Sequence, residues 1–244
     1  MTEMATLDFG SRSQRDELMD TEPVSYVEFR DCLVDLATVN RLTFAQRPTL
    51  DFFDRLLESR RMKPGPLEVV DVGSGYGDML RTIHDWAKRR GVPVSLTGVD
   101  LNPWSRRAAF EATPPAHGIR WVTADAFAYE PPNGIDVVIS SLFTHHLPNP
   151  LVARFLTWME EKSRVGWFVN DLHRHPIPYH FFRHFSKLAR LHRFVRHDGP
   201  VSIARAFEAT DWHELLVSAG IAHSLVDVRW RMPFRLTLSR LKAA

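Results

Sequence analysis

Glu68-Val69-Val70-Asp71-Val72-Gly73-Ser74-Gly75-Tyr76-Gly77-Asp78 decides the fold. An apolar run enters a turn with glycine at 73, 75 and 77, and a helical pattern follows over about 77–89. A strand that is apolar on both faces belongs inside a parallel sheet. Glycines at its end let the backbone approach a ligand where a Cβ would collide. A dinucleotide fingerprint requires G-x-G-x-x-G, and the position that would complete it here is Asp78. With Asp71 before the turn, that acid repels a pyrophosphate but accepts hydrogen bonds from the ammonium of an amino acid. Taken alone, the stretch also reads as a tight turn with fortuitous glycines.

Outward from this turn, short apolar runs alternate with helical stretches, the pattern of a parallel sheet covered on both faces. Strands are expected at 67–72, 94–100, 119–124, 135–140 and 164–170, and helices at about 77–89, 103–112 and 149–162. An aromatic and basic segment, 176–195, leads to a helix at 211–219. Closing strands near 222–230 and 233–239 bring the sheet to seven. Two further acids fall at strand ends. Asp100 is placed to accept hydrogen bonds from ribose hydroxyls, or else to cap the helix after Asn102-Pro103. Asp125 is placed to accept from an adenine amino group, with Ala126 or Phe127 beside the ring. Ligands of open α/β sheets bind at this edge, and the charge pattern suits S-adenosylmethionine.

Asp71-x-Gly-x-Gly-x-Gly resembles the first motif of class I S-adenosylmethionine-dependent methyltransferases, and the resemblance spans roughly 24–240. Asp35–Arg41, Ser140–Leu147, Asn170–His175 and Arg196–Ser202 are similar to the bacterial small-molecule branch related to quinone and polyketide methyltransferases. The resemblance implies a Rossmann-like α/β fold with a seven-stranded, mostly parallel sheet, helices on both faces and an N-terminal helical lid. It also implies a cofactor shell of Asp71, Gly73, Ser74, Gly75, Asp100, Leu101, Asp125, Ala126 and Ser141, with S-adenosylhomocysteine as product. The implied layout is a mobile tail over 1–20, a lid over 21–62 and a core over 63–244 with a cap at about 173–209.

Methyl transfer from a sulfonium is an in-line displacement, so the acceptor must be placed and made nucleophilic. A phenol, with a pKa near that of tyrosine at about 10, would give its proton to a neutral histidine. His145, after the fourth strand, is the leading base and His146 its understudy, against a plain reading of one as a helix cap and the other as a core residue. Asp171 would orient the imidazole or serve as a surface cap. His173 is the second candidate base. His146, Asn40, Arg47, Phe182 and Arg205 are expected around the acceptor. Arg41 could join them or stay in solvent.

The 244 residues carry a formal net charge of only +2, which gives no basic face for nucleic acid. His145-His146 also stands where DNA amine methylases carry an Asn/Asp-Pro-Pro-aromatic pattern. The expected partner is therefore a small-molecule acceptor. Cys32 is the only cysteine and the first twenty residues have no apolar run, which fit a soluble cytoplasmic chain. His180 and His184 share a helix face, but without His-Glu-x-x-His or an adjacent carboxylate no metal site is expected. The segment from Pro176 to Phe194 is amphipathic and basic, suited to closing the pocket or to transient contact with an anionic membrane surface. The expected activity is O-methylation of a phenolic or polyketide-like acceptor. Its alternatives are C-methylation of a quinol-type ring, RNA or protein methylation with an open basic site, and a non-catalytic adenosylmethionine-binding protein.

Overall fold

The computed structural model describes residues 8–59 and 65–243. Three helices, α1 (Leu18–Thr21), α2 (Tyr26–Leu42) and α3 (Arg47–Glu58), precede β1 (Leu67–Val72). Then follow α4 (Asp78–Arg90), β2 (Val94–Asp100), α5 (Pro103–Glu111), β3 (Arg120–Thr123), β4 (Ile135–Ser141), α6 (Asn149–Lys162) and β5 (Ser163–Leu172). The chain ends with α7 (Pro176–Leu188), α8 (Arg193–Arg205), α9 (Ala209–Ser218), β6 (Asp227–Arg231) and β7 (Arg235–Leu241).

β1 is an interior strand, beside the central β4, of a sheet ordered β3-β2-β1-β4-β5-β7-β6. It pairs in parallel with β2 on one side and β4 on the other. The chain builds outward to β3, then returns to the far side of β1 as β4. The carboxyl ends of β1 and β4 therefore diverge into a crevice, the switch point at which open α/β sheets bind ligands. β7 is antiparallel to β5 and to β6. One face of the sheet is covered by α6 and α9, with Trp158, Trp212 and Phe155 in the core. On the other face lie α3 and α4, with Phe52, Leu80 and Ile83 buried.

Three expectations change. α3 is a layer of the core rather than part of a lid. Phe52 stacks on Phe168 of β5 at 5.0 Å, Phe53 packs on Trp86 at 5.3 Å, and both phenylalanines are fully buried. The core thus begins at Arg47, before the expected residue 63; residues 60–62 lie outside the described set.

The second change is α8. The segment expected as a continuation of the aromatic cap breaks after Leu188 and resumes as a helix that runs through Gly199-Pro200. An interior proline costs about 3 kcal/mol of helix stability. Burial of Phe194, Val195, Val201, Ile203 and Ala204 offsets it. Gly199 is required by packing, because a Cβ there would sit 2.0 Å from the Phe182 ring of α7.

The third is the tail. Residues 1–7 lie outside the described set, but residues 8–20, expected to be mobile, are docked. Ser13 donates its backbone N–H to the Ala204 carbonyl at 2.9 Å. Arg12 donates to the carbonyls of Arg205, His145 and Leu147 and to Asn149 Oδ1, and lies over the Phe207 ring at 4.1 Å. Burial lowers the Arg12 pKa to about 10, against the pull of Asp171 and Asp211, so the group stays charged at neutral pH. Hydrogen bonds to charged groups contribute about 1.5–3 kcal/mol each. Arg12→Ala is expected to lower the unfolding free energy by about 2–3 kcal/mol in urea denaturation. A loss below about 0.5 kcal/mol, typical of a surface substitution, would mean that the segment is not held by this residue.

Candidate active site

The turn after β1 makes different demands on its three glycines. Gly73, Gly75 and Gly77 have φ of +71°, +49° and +75°, the region that side chains with a Cβ avoid at about 1–2 kcal/mol. A Cβ at Gly73 would meet the Phe143 ring at 2.6 Å and one at Gly77 would meet Trp121 at 2.2 Å, whereas one at Gly75 would meet nothing within 4 Å. Gly73 and Gly77 therefore serve packing, and Gly75 borders open space. Gly77→Ala is expected to cost about 2–4 kcal/mol of stability by strain and overpacking. Gly75→Ala is expected to cost about 1–2 kcal/mol, yet to lose cofactor affinity. Chemical denaturation beside S-adenosylhomocysteine calorimetry checks the pair; equal losses of stability would contradict the assignment.

The turn borders a cavity of about 570 Å³. Asp71, Gly73, Ser74, Gly75 and Ser141 line it, as do Asn40, His145, His146, His173 and Phe182. Asp71 is buried, and its Oδ1 has no hydrogen-bond partner among the described residues; the Ser141 hydroxyl is orphaned in the same way. Burial pushes the Asp71 carboxyl well above the usual range, with the charges of Asp78 and Asp100 adding to it. Asp100 holds the turn itself, its Oδ2 accepting from Gly75 N and its Oδ1 from Asn102 N, each at 2.9 Å. Burial raises its pKa against those hydrogen bonds. Leu101 is 74% exposed beside it. Asp125 is exposed and caps the short turn Ala126–Ala128 by accepting from Phe127 N at 2.9 Å, and Ala126 packs against the core.

The second loop of the crevice follows β4. Leu142 takes a positive φ of +55°, and this kink turns Thr144 and His145 back onto Asp171 of β5. Asp171, buried in the sheet, accepts from the Thr144 hydroxyl, from His145 N at 3.1 Å and from His145 Nδ1 at 2.7 Å. Burial alone would raise its pKa; the neighbouring His145 and hydrogen bonds from His145, Thr144 and Leu172 outweigh burial and hold it at about 2. Asp171 is thus an anion that fixes the Nδ1–H tautomer of His145 and leaves Nε2 as an acceptor. Arg205, expected at the acceptor, instead donates to the carbonyls of His145, His146 and Arg15, a strut behind the histidines. Arg47 is away from the cavity because α3 belongs to the core; its guanidinium lies over the Phe44 ring at 4.5 Å.

The docked N-terminal segment brings residues that no motif marked. Glu17, 5% exposed, accepts from Ser202 Oγ at 2.8 Å and lies 3.9 Å from His145 Nε2. His146 Nδ1 faces Asp20 at 3.3 Å; burial lowers the His146 pKa, but Asp20 and Glu17 outweigh that and raise it. Glu17, His145 and His146 each offer a ligand atom within 4.8 Å of the others, as do His84, Asp85 and His117. These are the clusters of metal-ligating spacing among the described residues, whereas His180 and His184, the pair weighed from sequence, are exposed on α7. His173 reaches the cavity in a different role from the one expected. Its Nδ1 accepts from Trp230 Nε1 at 3.3 Å, so its proton sits on Nε2 and it presents a donor rather than a base. Burial, with His175 and Arg174, lowers its pKa and keeps it neutral.

No curated protein shows significant sequence similarity to the chain. Among solved structures, the plantazolicin methyltransferase BpumL, in complex with a triazolic desmethylPZN analog and SAH, superposes with a TM-score of 0.61 at 13% identity over 86% of this chain and 90% of that one. The citrinin polyketide synthase CMeT domain gives a TM-score of 0.57 at 16% identity over 80% of this chain and 52% of its own. Magnesium protoporphyrin IX methyltransferase (ChlM) from Synechocystis PCC 6803, with bound SAH, gives 0.52 at 14% identity over 91% and 89%. A family model described as a methyltransferase domain matches residues 41–217, from the end of α2 through α9. With the glycine turn, the orphaned acid beside it and the crevice at the switch point already in place, this match means that the chain belongs to the methyltransferase-domain family and is an S-adenosylmethionine-dependent enzyme.

Proposed function

We propose that the enzyme methylates a hydroxyl oxygen of a small phenolic or polyketide-like acceptor, with C-methylation of a quinol-type ring as the alternative. The observation that carries this reading is His145: a buried imidazole that lines the cavity bordered by Gly75, held at Nδ1 by an ionised Asp171 so that Nε2 is left as the acceptor. A cavity of about 570 Å³ is of the size that encloses a small ligand. It is mostly apolar and closed by α2, α7 and α8, unlike the open basic face that RNA or protein would need.

The residues at the crevice fit the cofactor. The unpartnered Asp71 Oδ1 would accept from its ammonium and the Ser141 hydroxyl would contribute beside it. Asp100, Leu101, Asp125 and Ala126 are not among the residues that line the cavity itself; beside the turn, Asp100 would accept from ribose hydroxyls, exposed Leu101 and half-buried Ala126 would offer apolar contact to adenine, and Asp125 an acceptor for its amino group. When bound, S-adenosylmethionine supplies a methyl group on a positively charged sulfur. His145 Nε2 takes the acceptor's hydroxyl proton as the methyl moves, Asp171 stabilises the resulting imidazolium, and Asn40 and Phe182 position the ring. Such a base contributes about 10²–10⁴-fold.

No helix among the described residues is long and apolar enough to cross a membrane. Ile177, Phe181 and Leu188 of α7 are nevertheless 60%, 66% and 85% exposed. With Arg183, Lys187 and Arg190 nearby, they suit transient contact with an anionic bilayer during collection of an apolar acceptor. The direct test is incubation with methyl-labelled S-adenosylmethionine and a panel of resorcinol, orcinol and catechol. Mass spectrometry detects the product, and NMR separates a methoxy from an aryl methyl group. Methoxy products are expected. Aryl methyl products would select the alternative, and tight cofactor binding without methylation of any phenol would remove the phenolic acceptor.

A further inference from the structure

Arg235 opens β7 opposite Leu172 and is 4% exposed. It is the only Arg or Lys among the described residues that line the cavity. Nη2 donates to Thr43 Oγ1 at 3.2 Å, but Nε and Nη1 are buried without any hydrogen-bond partner among the described residues. A buried guanidinium with two idle donors is costly and calls for a polar partner that the described residues do not supply. Asp171, on the adjoining strand, is the nearby anion, but its oxygens are committed to Thr144, His145 and Leu172. Burial lowers the Arg235 pKa to about 10, with Asp171 opposing, so the charge is present at neutral pH.

Beside Arg235, the loop after β5 brings His173, whose backbone N–H donates to Phe234 O at 3.0 Å and whose ring keeps its proton on Nε2. The cavity therefore has two characters. Asp71 and Asp78 make the end at the glycine turn acidic and suited to the cofactor's ammonium, while the β7 end offers a planar cation and a neutral N–H donor. Nη2 carries two hydrogens and its bond to Thr43 uses one, so its other N–H, beside Nε or Nη1, still forms a planar pair of donors that matches a carboxylate in geometry as well as charge.

We propose that Arg235, assisted by His173, binds a carboxylate on the acceptor, so that the substrate is an aromatic hydroxy acid held with its carboxylate toward β7 and its hydroxyl toward His145. This rests on the aromatic-acceptor reading above and narrows it.

The test uses a matched pair of probes, 2,4-dihydroxybenzoate and resorcinol, titrated calorimetrically into the protein saturated with S-adenosylhomocysteine. Wild type is expected to bind the acid at least about tenfold more tightly, as charge-assisted hydrogen bonds allow. Arg235→Gln should weaken the acid by about 10- to 100-fold and leave resorcinol and S-adenosylhomocysteine within a few-fold. Arg235→Lys should restore part of the difference, because it returns the charge without the fork. Equal affinity of wild type for both probes overturns the role of Arg235 while leaving an aromatic acceptor standing. Equal weakening of both by Arg235→Gln does the same and makes the arginine structural. Binding of neither probe to the loaded protein overturns the aromatic-acceptor reading and this proposal with it. The wild-type comparison needs no variant, so the proposal stays testable even if Arg235→Gln folds poorly.

Discussion

His145→Gln is expected to lower turnover by about 10²–10⁴-fold while leaving the affinity for S-adenosylhomocysteine within a few-fold. The asymmetry follows from placement. His145 lines the cavity at the β4 end, and the cofactor-side acids stand on β1 and β2. Glutamine retains the bulk and a hydrogen bond toward Asp171, so the loop should survive; what disappears is an acceptor that can carry a proton. Asp171→Asn should reduce turnover nearly as far, because the amide no longer enforces the Nδ1–H tautomer and cannot stabilise an imidazolium. The double variant should be little worse than His145→Gln alone, since residues that act as a unit give strongly non-additive losses. With its pKa held at about 2, Asp171 is ionised throughout the working range and never itself receives the proton. Measured kcat on the best phenolic acceptor decides the matter. If His145→Gln keeps turnover within about tenfold of wild type, well short of what a general base supplies, placement alone carries the reaction and the imidazole is a structural group.

What could be read in advance was local. The run from Glu68 to Asp78 states its own conformation, because the apolar strand, positive-φ glycines and helix start are all determined within one turn. The site residues on it, Asp71, Gly73, Ser74 and Gly75, follow directly. His145 and Asp171 were legible as types at the ends of successive strands, but their 2.7 Å contact depends on the kink at Leu142, a residue with no reputation for turns. The misreadings share one cause, long-range packing that overrides local signal. Gly199-Pro200 argues against a helix, yet α8 runs through it because Phe194, Val195, Val201 and Ile203 are buried, and Phe182 of α7 takes the space that a Cβ at 199 would fill. Arg12 and Glu17 sit in a polar stretch without periodicity, and only the distant carbonyls of Leu147 and Arg205 and the hydroxyl of Ser202 show why they are ordered. Arg235 begins a strand and looks like a solvent-facing charge; its burial comes from the α2–α3 connection that packs Thr43 over it.

Asp71→Asn is expected to weaken S-adenosylhomocysteine binding by about 10- to 100-fold, the range of one hydrogen bond to a charged group, and to abolish a pH dependence that wild type should show. In the ligand-free protein the Asp71 carboxyl is held well above the usual carboxylate range by burial and by Asp78 and Asp100. The ammonium of the ligand favours the ionised carboxylate, so binding expels a proton. Affinity must then rise with pH through the window that starts at the ordinary carboxylate range and extends upward to the raised pKa of Asp71. Stability runs the other way. Over that window the folded state keeps a proton that the unfolded chain has lost, so the ligand-free fold weakens as pH rises. Asparagine at 71 removes both slopes and should leave the empty protein at least as stable as wild type near neutral pH. Calorimetry in buffers of different ionisation enthalpy counts the released proton, and denaturation without ligand reads the stability. If wild-type affinity is flat with pH and Asp71→Asn binds equally well, the turn holds its ligand through backbone groups alone. The expected opposite result would mean that β1 carries a charge unfavourable to the empty fold because the bound cation repays it.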